Sequence, residues 1–555
     1  MRSDSMIQEE VIQNLVKRYT GAPINIRQLC QDAIDELGRE ITIENDTLAK
    51  KQRMKIPTDI PVHMIAGFMM KLCGFVVLCR TTRLRSRQEC QVAYYEKNGE
   101  NAGLYVTDKL LVCRQMTVFN RNLSKIQLER IYQEILMEAD IVYENNDRDL
   151  IPVNNGVFDY KKKVLLPFSP NLVFTKKTRI NYNPFRTTSP VCINTDGSTW
   201  NVEDWVLSLT DDIETTELLF QVCGAVLRPK VAWEQMILLY STVGRNGKGT
   251  FCVLLRELAG EGNYASISLK QMTKRFGLSQ LMDVSAVITD ENSVSPTDVI
   301  KDMENLKAIV TADHIQYEKK YQSPVDFQYK GIIVQCLNWL PQISDTTNSL
   351  ARRMLFIDFP KTFTGCDNKA IKADYLHRPE VLEYVLWKVL VQMPDYYEFT
   401  VPEVSKNLLA TYQQSNNSVM EFWEDVRDNL VWDVCPGEFL YDLYKAWYDR
   451  FMGSSCTMGR NTFYKELDMI IDNDDEWYTQ KNSIPLSAGM NDKPEFLIRE
   501  YNLHRWINTS YTGGNPSILY IPLWAQTISS PYIHKRKPQP SSNPFNSLGN
   551  ATLAE

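Results

Sequence analysis

Residues 236–251 read MILLYSTVGRNGKGTF. Met236 to Tyr240 is an unbroken apolar run, as in a strand buried on both faces. Ser241 to Gly247 follows as a glycine-containing loop, and Phe251, Leu254, Leu255 and Leu258 then recur at helical spacing. Strand, loop, Lys248 and helix together form a P-loop context. Backbone N–H groups and the helix N-terminus cradle phosphates, and the lysine reaches the β/γ oxygens. Gly244, Arg245, Asn246, Gly247, Lys248, Gly249 and Thr250 are therefore the candidate nucleotide-binding residues. The strict P-loop string is missed twice: Thr242 stands where its first Gly belongs, and Gly249 where Ser or Thr should follow the lysine. The usual hydroxyl for Mg2+ is thus absent, and two replacements stay open, Thr250 or water.

Outward from this segment, Val284 to Thr289 reads as a strand ending in Asp290-Glu291, 42 residues past Lys248. Beside a P-loop, Asp290 would hold Mg2+ through water and Glu291 would polarise the attacking water. Gly331 to Leu337 is a further strand, ending in Asn338 with Pro341 close behind; Asn338 can sense a γ-phosphate or orient water. Arg352-Arg353 leads into the strand Met354 to Phe359, and one of the two is a candidate arginine finger. Taken singly, these are also a plain glycine turn, a structural Asn and a salt-bridged Arg. Strands alternate with helices from 236 to 360, which is the pattern of an α/β domain.

In this order and spacing the motifs resemble the superfamily III helicases of the AAA+ class, nearest the poxvirus-type branch of phages, plasmids and mobile genomic islands. The resemblance rests on GRNGKGTF (244–251), AVITDEN (286–292), TADHIQYEKKYQSPVDF (311–327), QCLNWLPQISD (335–345) and ARRMLFIDFP (351–360). Upstream it takes in LIPVNNGVFDY (150–160), FSPNLVFTKKTRINYNP (168–184) and Gly224; downstream, FLYDLYKAWYDRF (439–451) and TFYKEL (462–467) are similar to a terminal winged-helix module. The resemblance implies a homo-hexameric ring that uses ATP and Mg2+ to translocate 3′ to 5′ on single-stranded or forked DNA during replication. It also implies a pore hairpin before Asn338, with Lys319 and Lys320 at its basic tip and Asp313 and His314 on its approach. A lysine ring in a narrow pore tracks phosphates without reading bases. Many relatives carry a primase ahead of the helicase; residues 1–150 hold a single His, His63, so a separate primase is expected.

Composition bounds the remainder. The chain has 555 residues, 44% hydrophobic and 23% charged, with 61 Lys and Arg against 68 Asp and Glu for a net charge of −7. That excludes a disordered, collagen-like or disulfide-scaffold protein, and leaves DNA binding to a local basic lining. Twelve Cys form no CxxC pair and five His are scattered, so a reduced cytoplasmic setting is expected rather than a disulfide framework. The N-terminus lacks the apolar core of a secretory signal. Met64 to Cys79 is nearly all apolar, but it is short for a span and carries Lys71, worth about 2.5–3.5 kcal/mol against insertion. It reads as a buried helix followed by a strand at Phe75–Leu78, and no membrane is expected.

The expected organisation is an α/β protein with an AAA+-type P-loop core, an α+β N-terminal domain and a C-terminal winged-helix domain. Boundaries fall at 1–185 (N-terminal domain), 186–230 (helical collar), 231–370 (ATPase core), 371–430 (helical extension), 431–528 (winged-helix-like domain) and 529–555 (disordered tail, rich in Pro, Ser and Asn). Ser124 and Gln127 form a capping box for an amphipathic helix over 125–138. Arg80, Arg83, Arg85 and Arg87 read as a solvated basic run or a nucleic-acid contact. Two alternatives to a helicase stay open: an origin-binding initiator, in which Arg460, Asn461 and Lys465 read duplex DNA, and a non-helicase ATPase motor.

Overall fold

The computed structural model describes residues 2–80, 87–274, 278, 280–281, 284–292, 299–300, 304–317, 325–340, 342–343, 350–364, 368–415, 417–451, 456, 458–472, 474–480, 484–485, 493–520, 529–530 and 533–536. Arg83, Arg85, Lys319, Lys320 and Pro341 lie outside the described residues. Two compact units are present, Met1–Leu409 and Ala410–Glu555.

The first unit opens with α1 (Asp4–Tyr19), α2 (Ile26–Asp46) and α3 (Val62–Lys71), then β1 (Phe75–Cys79), β2 (Gln91–Tyr95), β3 (Tyr105–Val106), α4 (Lys109–Phe119), α5 (Lys125–Glu138) and β4 (Ile141–Tyr143). The buried residues of α1 (Ile7, Val11, Ile12, Leu15) and of α2 (Leu29, Ala33, Leu37, Ile41) repeat at helical spacing, so each helix presents one apolar stripe to a shared core. The apolar stretch from Met64 is α3 followed by β1, and Lys71 at the helix end pairs with Glu9 at 2.8 Å. The Ser124–Gln127 capping box forms and starts α5 at Lys125. Of the basic run, Arg87 donates to the carbonyls of Leu136, Met137 and Ala139 at the end of α5, where a cation meets both unpaired carbonyls and the helix dipole.

Among the described residues Cys79 and Cys90 form a disulfide, where the sequence leads to a reduced setting without a disulfide framework. The two residues sit one step beyond the antiparallel pair Leu78–Gln91, so register alone brings their Cα atoms to 4.7 Å. The nine other described cysteines are free.

A meander of β5 (Leu150–Val153), β6 (Gly156–Asp159) and β7 (Val164–Leu166) follows, then the short pair β8 (Cys192–Ile193) and β9 (Thr199–Trp200). The turn lysines after β6 are all ion-paired, Lys161 with Asp149, Lys162 with Asp159 and Lys163 with Asp395. The helical stretch from 203 divides into α6 (Val202–Leu209) and α7 (Ile213–Leu227) because Asp212 caps a second start, accepting from Glu214 and Thr215 N–H. Gly224 in α7 is a close-approach position: a Cβ there would overlap the Tyr396 hydroxyl.

Beyond α7 come β10 (Met236–Tyr240), α8 (Lys248–Ala259), β11 (Tyr264–Ala265), α9 (Leu269–Met272), β12 (Ala286–Thr289), β13 (Val299–Ile300), α10 (Glu304–Val310), β14 (His314–Tyr317), β15 (Val325–Gln328), β16 (Ile332–Leu337), β17 (Gln342–Ile343) and β18 (Met354–Asp358). Five strands form one sheet in the order β11-β12-β16-β10-β18, parallel throughout. Its central strands are buried on both faces, as a parallel sheet flanked by helices requires. The order sets β16 between the P-loop strand and the acidic strand, so three strand ends meet at one edge. The unit continues with α11 (Lys369–Ala373) and α12 (Pro379–Trp387) and enters α13 (Glu403–Ser415).

The second unit has α14 (Ser418–Val426), β19 (Val434–Pro436), α15 (Gly437–Phe451), α16 (Arg460–Ile471), β20 (Trp477–Gln480), β21 (Ile484–Pro485), α17 (Leu497–Glu500), β22 (Ser529–Ser530) and β23 (Ile533–Arg536). Its core is aromatic, with Trp423, Trp432, Trp447 and Trp477 all essentially inaccessible. The strand β23 is central in the antiparallel order β19-β23-β20. Within the tail expected to be disordered from 529, residues 529–530 pair with β21, and residues 533–536 pair on both edges with β19 and β20.

Candidate functional site: a P-loop beside two strand ends

The loop between β10 and α8 turns back on itself. Asn246 lies under it, its Oδ1 accepting from Lys248 N–H at 3.3 Å. Gly247, the residue capping α8, has φ 89°, and a Cβ on it would stand 2.5 Å from Leu209 Cδ2; conformation and space both call for glycine. Arg245 also takes a positive φ, 57°, and its carbonyl accepts from Phe363 N–H at 2.9 Å. Gly244 and Gly249 face open space, and Thr250 is half-buried on the first turn of α8.

Lys248 is only 5% exposed. Its ammonium donates to Asn338 Oδ1 at 3.0 Å and to the Ser241 carbonyl at 3.3 Å. Burial pulls its pKa below the ordinary lysine value, opposed by the neighbouring Cys336 and Asp358. Two residues singled out from separate motifs, 90 positions apart, are thus in direct contact. Asn338 is exposed at the end of β16 and Trp339 beside it is 53% exposed.

The acidic pair ends β12. Asp290 is held by Arg256 of α8 in a two-pronged ion pair, Nη2 to Oδ1 at 2.8 Å and Nη1 to Oδ2 at 3.1 Å. This bond keeps the carboxyl below its usual range despite partial burial. Glu291 is exposed. Beneath them runs a polar network that the sequence reading did not find. Asn292 Nδ2 donates to Gln335 Oε1 and to the Cys336 carbonyl, both at 3.0 Å, and Gln335 Nε2 donates to the Ile267 carbonyl at 3.1 Å. The network ties the end of β12 to the end of β16, and so the acidic pair to Asn338. Cys252 and Cys336 lie with their sulfurs 3.4 Å apart under Lys248; that contact, then burial, pushes the Cys252 thiol up. Asp358, at the end of β18 beside Tyr240, is raised by burial, with Asp211 adding to the effect. Only Arg256 left a sequence signal: it stands seven positions after Gly249, on the same helix face.

His314 begins an antiparallel pair of strands, β14 with β15, in which it stands opposite Gln328. It is exposed, and Asp313 before it accepts from Thr311 Oγ1 at 2.5 Å. Arg352 and Arg353 form a turn before β18, Arg352 exposed and Arg353 half-buried. In the second unit, Arg460 pairs with Glu438 at 3.3 Å, while Asn461 and Lys465 are exposed on α16. Asp147 and Asp149 have the spacing of a metal-binding carboxylate pair; Asp147 is exposed and Asp149 buried. Asp147 accepts from Asp149 N–H at 2.9 Å, and Asp149 accepts from the Tyr397 hydroxyl at 2.6 Å.

A glycine loop between a buried parallel strand and a helix, its lysine bonded to a polar residue ending the adjacent strand, defines a P-loop-type domain. Three family models match the chain: "Family of unknown function (DUF5906)" over residues 239–353, "Poxvirus D5 protein-like" over 414–505 and "D5 N terminal like" over 83–208. D5-like models thus match on both sides of the P-loop domain, which supports a D5-like superfamily III helicase/primase family and a replication helicase-type function. Similar solved structures include the A-form apo structure of the NrS-1 C-terminal region, at 14% identity over 75% of this chain and 94% of that one, TM-score 0.41. Another is the apo structure of the NrS-1 C-terminal region (305-718), at 13% identity with the same coverage and TM-score. No curated protein matches the chain. Among the described residues no helix is long and apolar enough to cross a membrane.

Proposed function

We propose that the chain is an ATP-dependent replicative DNA helicase, acting as a homo-hexameric ring that moves 3′ to 5′ along single-stranded DNA in the replication of a phage, plasmid or mobile genetic island. The observation that carries this reading is the 3.0 Å bond between Lys248 and Asn338 at the edge where β10, β12 and β16 end. A triphosphate seated on the N-terminus of α8 would draw the Lys248 ammonium to its β/γ oxygens and release Asn338 to face the γ-phosphate or the attacking water. The exposed Glu291 has the chemistry to polarise that water.

The donor set fits Mg2+, which keeps several waters and needs one or two carboxylates beside the phosphates: Asp290 is at the strand end and the Thr250 hydroxyl one residue past Gly249. When bound, the ion would neutralise charge on the phosphates. Arg352, the more exposed of the pair, is the better placed to reach a neighbouring subunit. Lys319 and Lys320, in the sequence between β14 and β15, would track the DNA backbone, with His314 at the start of β14. Primer synthesis would come from a separate protein. Strand displacement on a forked substrate, with and without ATP, tests the reading; ATP hydrolysis without unwinding would leave a non-helicase motor.

A second reading has its own observation. The second unit holds α15, α16 and a three-stranded sheet, and α16 leaves Asn461 and Lys465 exposed, where a winged-helix reading would put its DNA contacts. An origin-binding role predicts a footprint on duplex origin DNA that is lost in Asn461→Ala, Lys465→Ala.

A further inference from the structure

In a standard P-loop, the residue after the lysine supplies a hydroxyl next to the acidic strand end. Here that residue is Gly249, which has no side chain, and Asp290 is turned to a different partner. Arg256 stands two helical turns after Gly249 on the same face of α8 and grips both Asp290 oxygens, at 2.8 and 3.1 Å. Nη2 also donates to the Ile288 carbonyl at 3.3 Å, so the guanidinium is fixed to the end of β12 by three bonds. The Arg256 side chain is 19% exposed and the Asp290 side chain 38%, so the pair sits at the surface with its arginine end partly covered.

We propose that Arg256, by its two-pronged pairing, cancels the charge of Asp290, so that a divalent cation is taken up only together with a nucleotide. This rests on the nucleotide reading of the loop and deepens it. The geometry supports this. A two-pronged arginine–carboxylate pair fixes the plane of the carboxyl, yet each carboxylate oxygen keeps a lone pair that can accept from a metal-bound water. Electrostatically, a guanidinium in contact with the carboxylate removes most of the attraction that Asp290 alone would exert on a cation. The negative charge that draws the ion in must then come from the phosphates.

The test is the Mg2+ dependence of binding of a fluorescent ADP, measured without turnover, in full-length protein whose fold is checked by thermal melting. Arg256→Gln removes the charge and is expected to lower the Mg2+ half-saturation roughly tenfold, since one uncancelled carboxylate is restored near the ion. Arg256→Lys keeps the charge and is expected to stay close to the parent. The double variant Arg256→Gln, Asp290→Asn is expected to lose the gain. A folded Arg256→Gln with unchanged or raised half-saturation overturns the proposal, as does a gain that persists in the double variant. If Arg256→Gln does not fold, Arg256→Lys decides, because a tenfold drop there would mean that fork geometry rather than charge sets the cation demand. A parent protein that binds no ADP at any Mg2+ concentration overturns the nucleotide reading itself, an outcome distinct from the others.

Discussion

Replacing Lys248 with alanine separates the lysine's structural work from its chemical work. The ammonium is 5% exposed and holds two acceptors, Asn338 Oδ1 at 3.0 Å and the Ser241 carbonyl at 3.3 Å. Hydrogen bonds from a charged donor contribute about 1.5–3 kcal/mol each, the longer one least. Against this stands the cost of keeping an ammonium out of water, visible in its lowered pKa. The two nearly offset, so Lys248→Ala should lose only about 1–2 kcal/mol, a shift of about 1–2 °C in the melting of a unit the size of Met1–Leu409. Turnover should fall far more, on the order of 10²–10³-fold or beyond, because a preorganised charge at the developing phosphate negative charge is gone. Phosphate release, read beside a thermal melt, is the assay. A folded Lys248→Ala that turns over within about threefold of the parent refutes the phosphate role, since no charged donor at a reacting phosphate contributes so little.

Further outcomes follow from other contacts. Glu291→Gln should still bind ATP, checked by equilibrium binding of a fluorescent analogue, while phosphate release is lost. Gly249→Ser should fold, because a Cβ there meets nothing within 4 Å, and should leave ATPase unchanged or modestly altered; a large gain in steady-state rate would mean that the native Mg2+ site is crippled. Mixing an Arg352→Ala, Arg353→Ala subunit with a Lys248→Ala subunit should recover part of the ATPase that neither shows alone. Proven co-assembly without recovery counts against a finger supplied in trans. In the second unit, Asp474 accepts from Trp423 Nε1 at 2.9 Å and from two backbone N–H groups. Its pKa is lowered because these bonds outweigh the opposing effect of burial. A depressed folded pKa means that this stability is full above the unfolded value, about 3.9, and is lost as pH falls through the folded one. Asp474→Asn should therefore lower the unit's stability at pH 7 and flatten its loss below about pH 4, followed by tryptophan fluorescence.

The sequence was informative where burial or local chemistry writes a short-range pattern. Met236–Tyr240 is a strand whose first four residues are inaccessible on both faces, so an unbroken apolar run announced it. Ser124 and Gln127 carry a capping box within four residues, and α5 starts where they place it. The Lys248–Asn338 contact was foreseeable only as two motifs in order; their meeting depends on β16 lying beside β10. What escaped is what register and long-range pairing create. Cys79 and Cys90 become partners only once β1 and β2 are aligned. β23 is ordered by β19 and β20, 97 and 53 residues away counting from Ile533 to Pro436 and Gln480. Arg256 sat on the right helix face, but nothing local said that Asp290 would lie opposite it.

The central claim is that nucleotide hydrolysis at Lys248 drives the separation of DNA strands. Strand displacement on a forked duplex with a 3′ single-stranded tail, comparing the parent with Lys248→Ala at equal protein concentration, tests it most directly. The account predicts displacement that needs hydrolysable ATP, fails on a 5′ tail alone, and is absent in Lys248→Ala. Displacement by the variant equal to that of the parent, or robust ATP hydrolysis by the parent with no displacement on any fork, would contradict it.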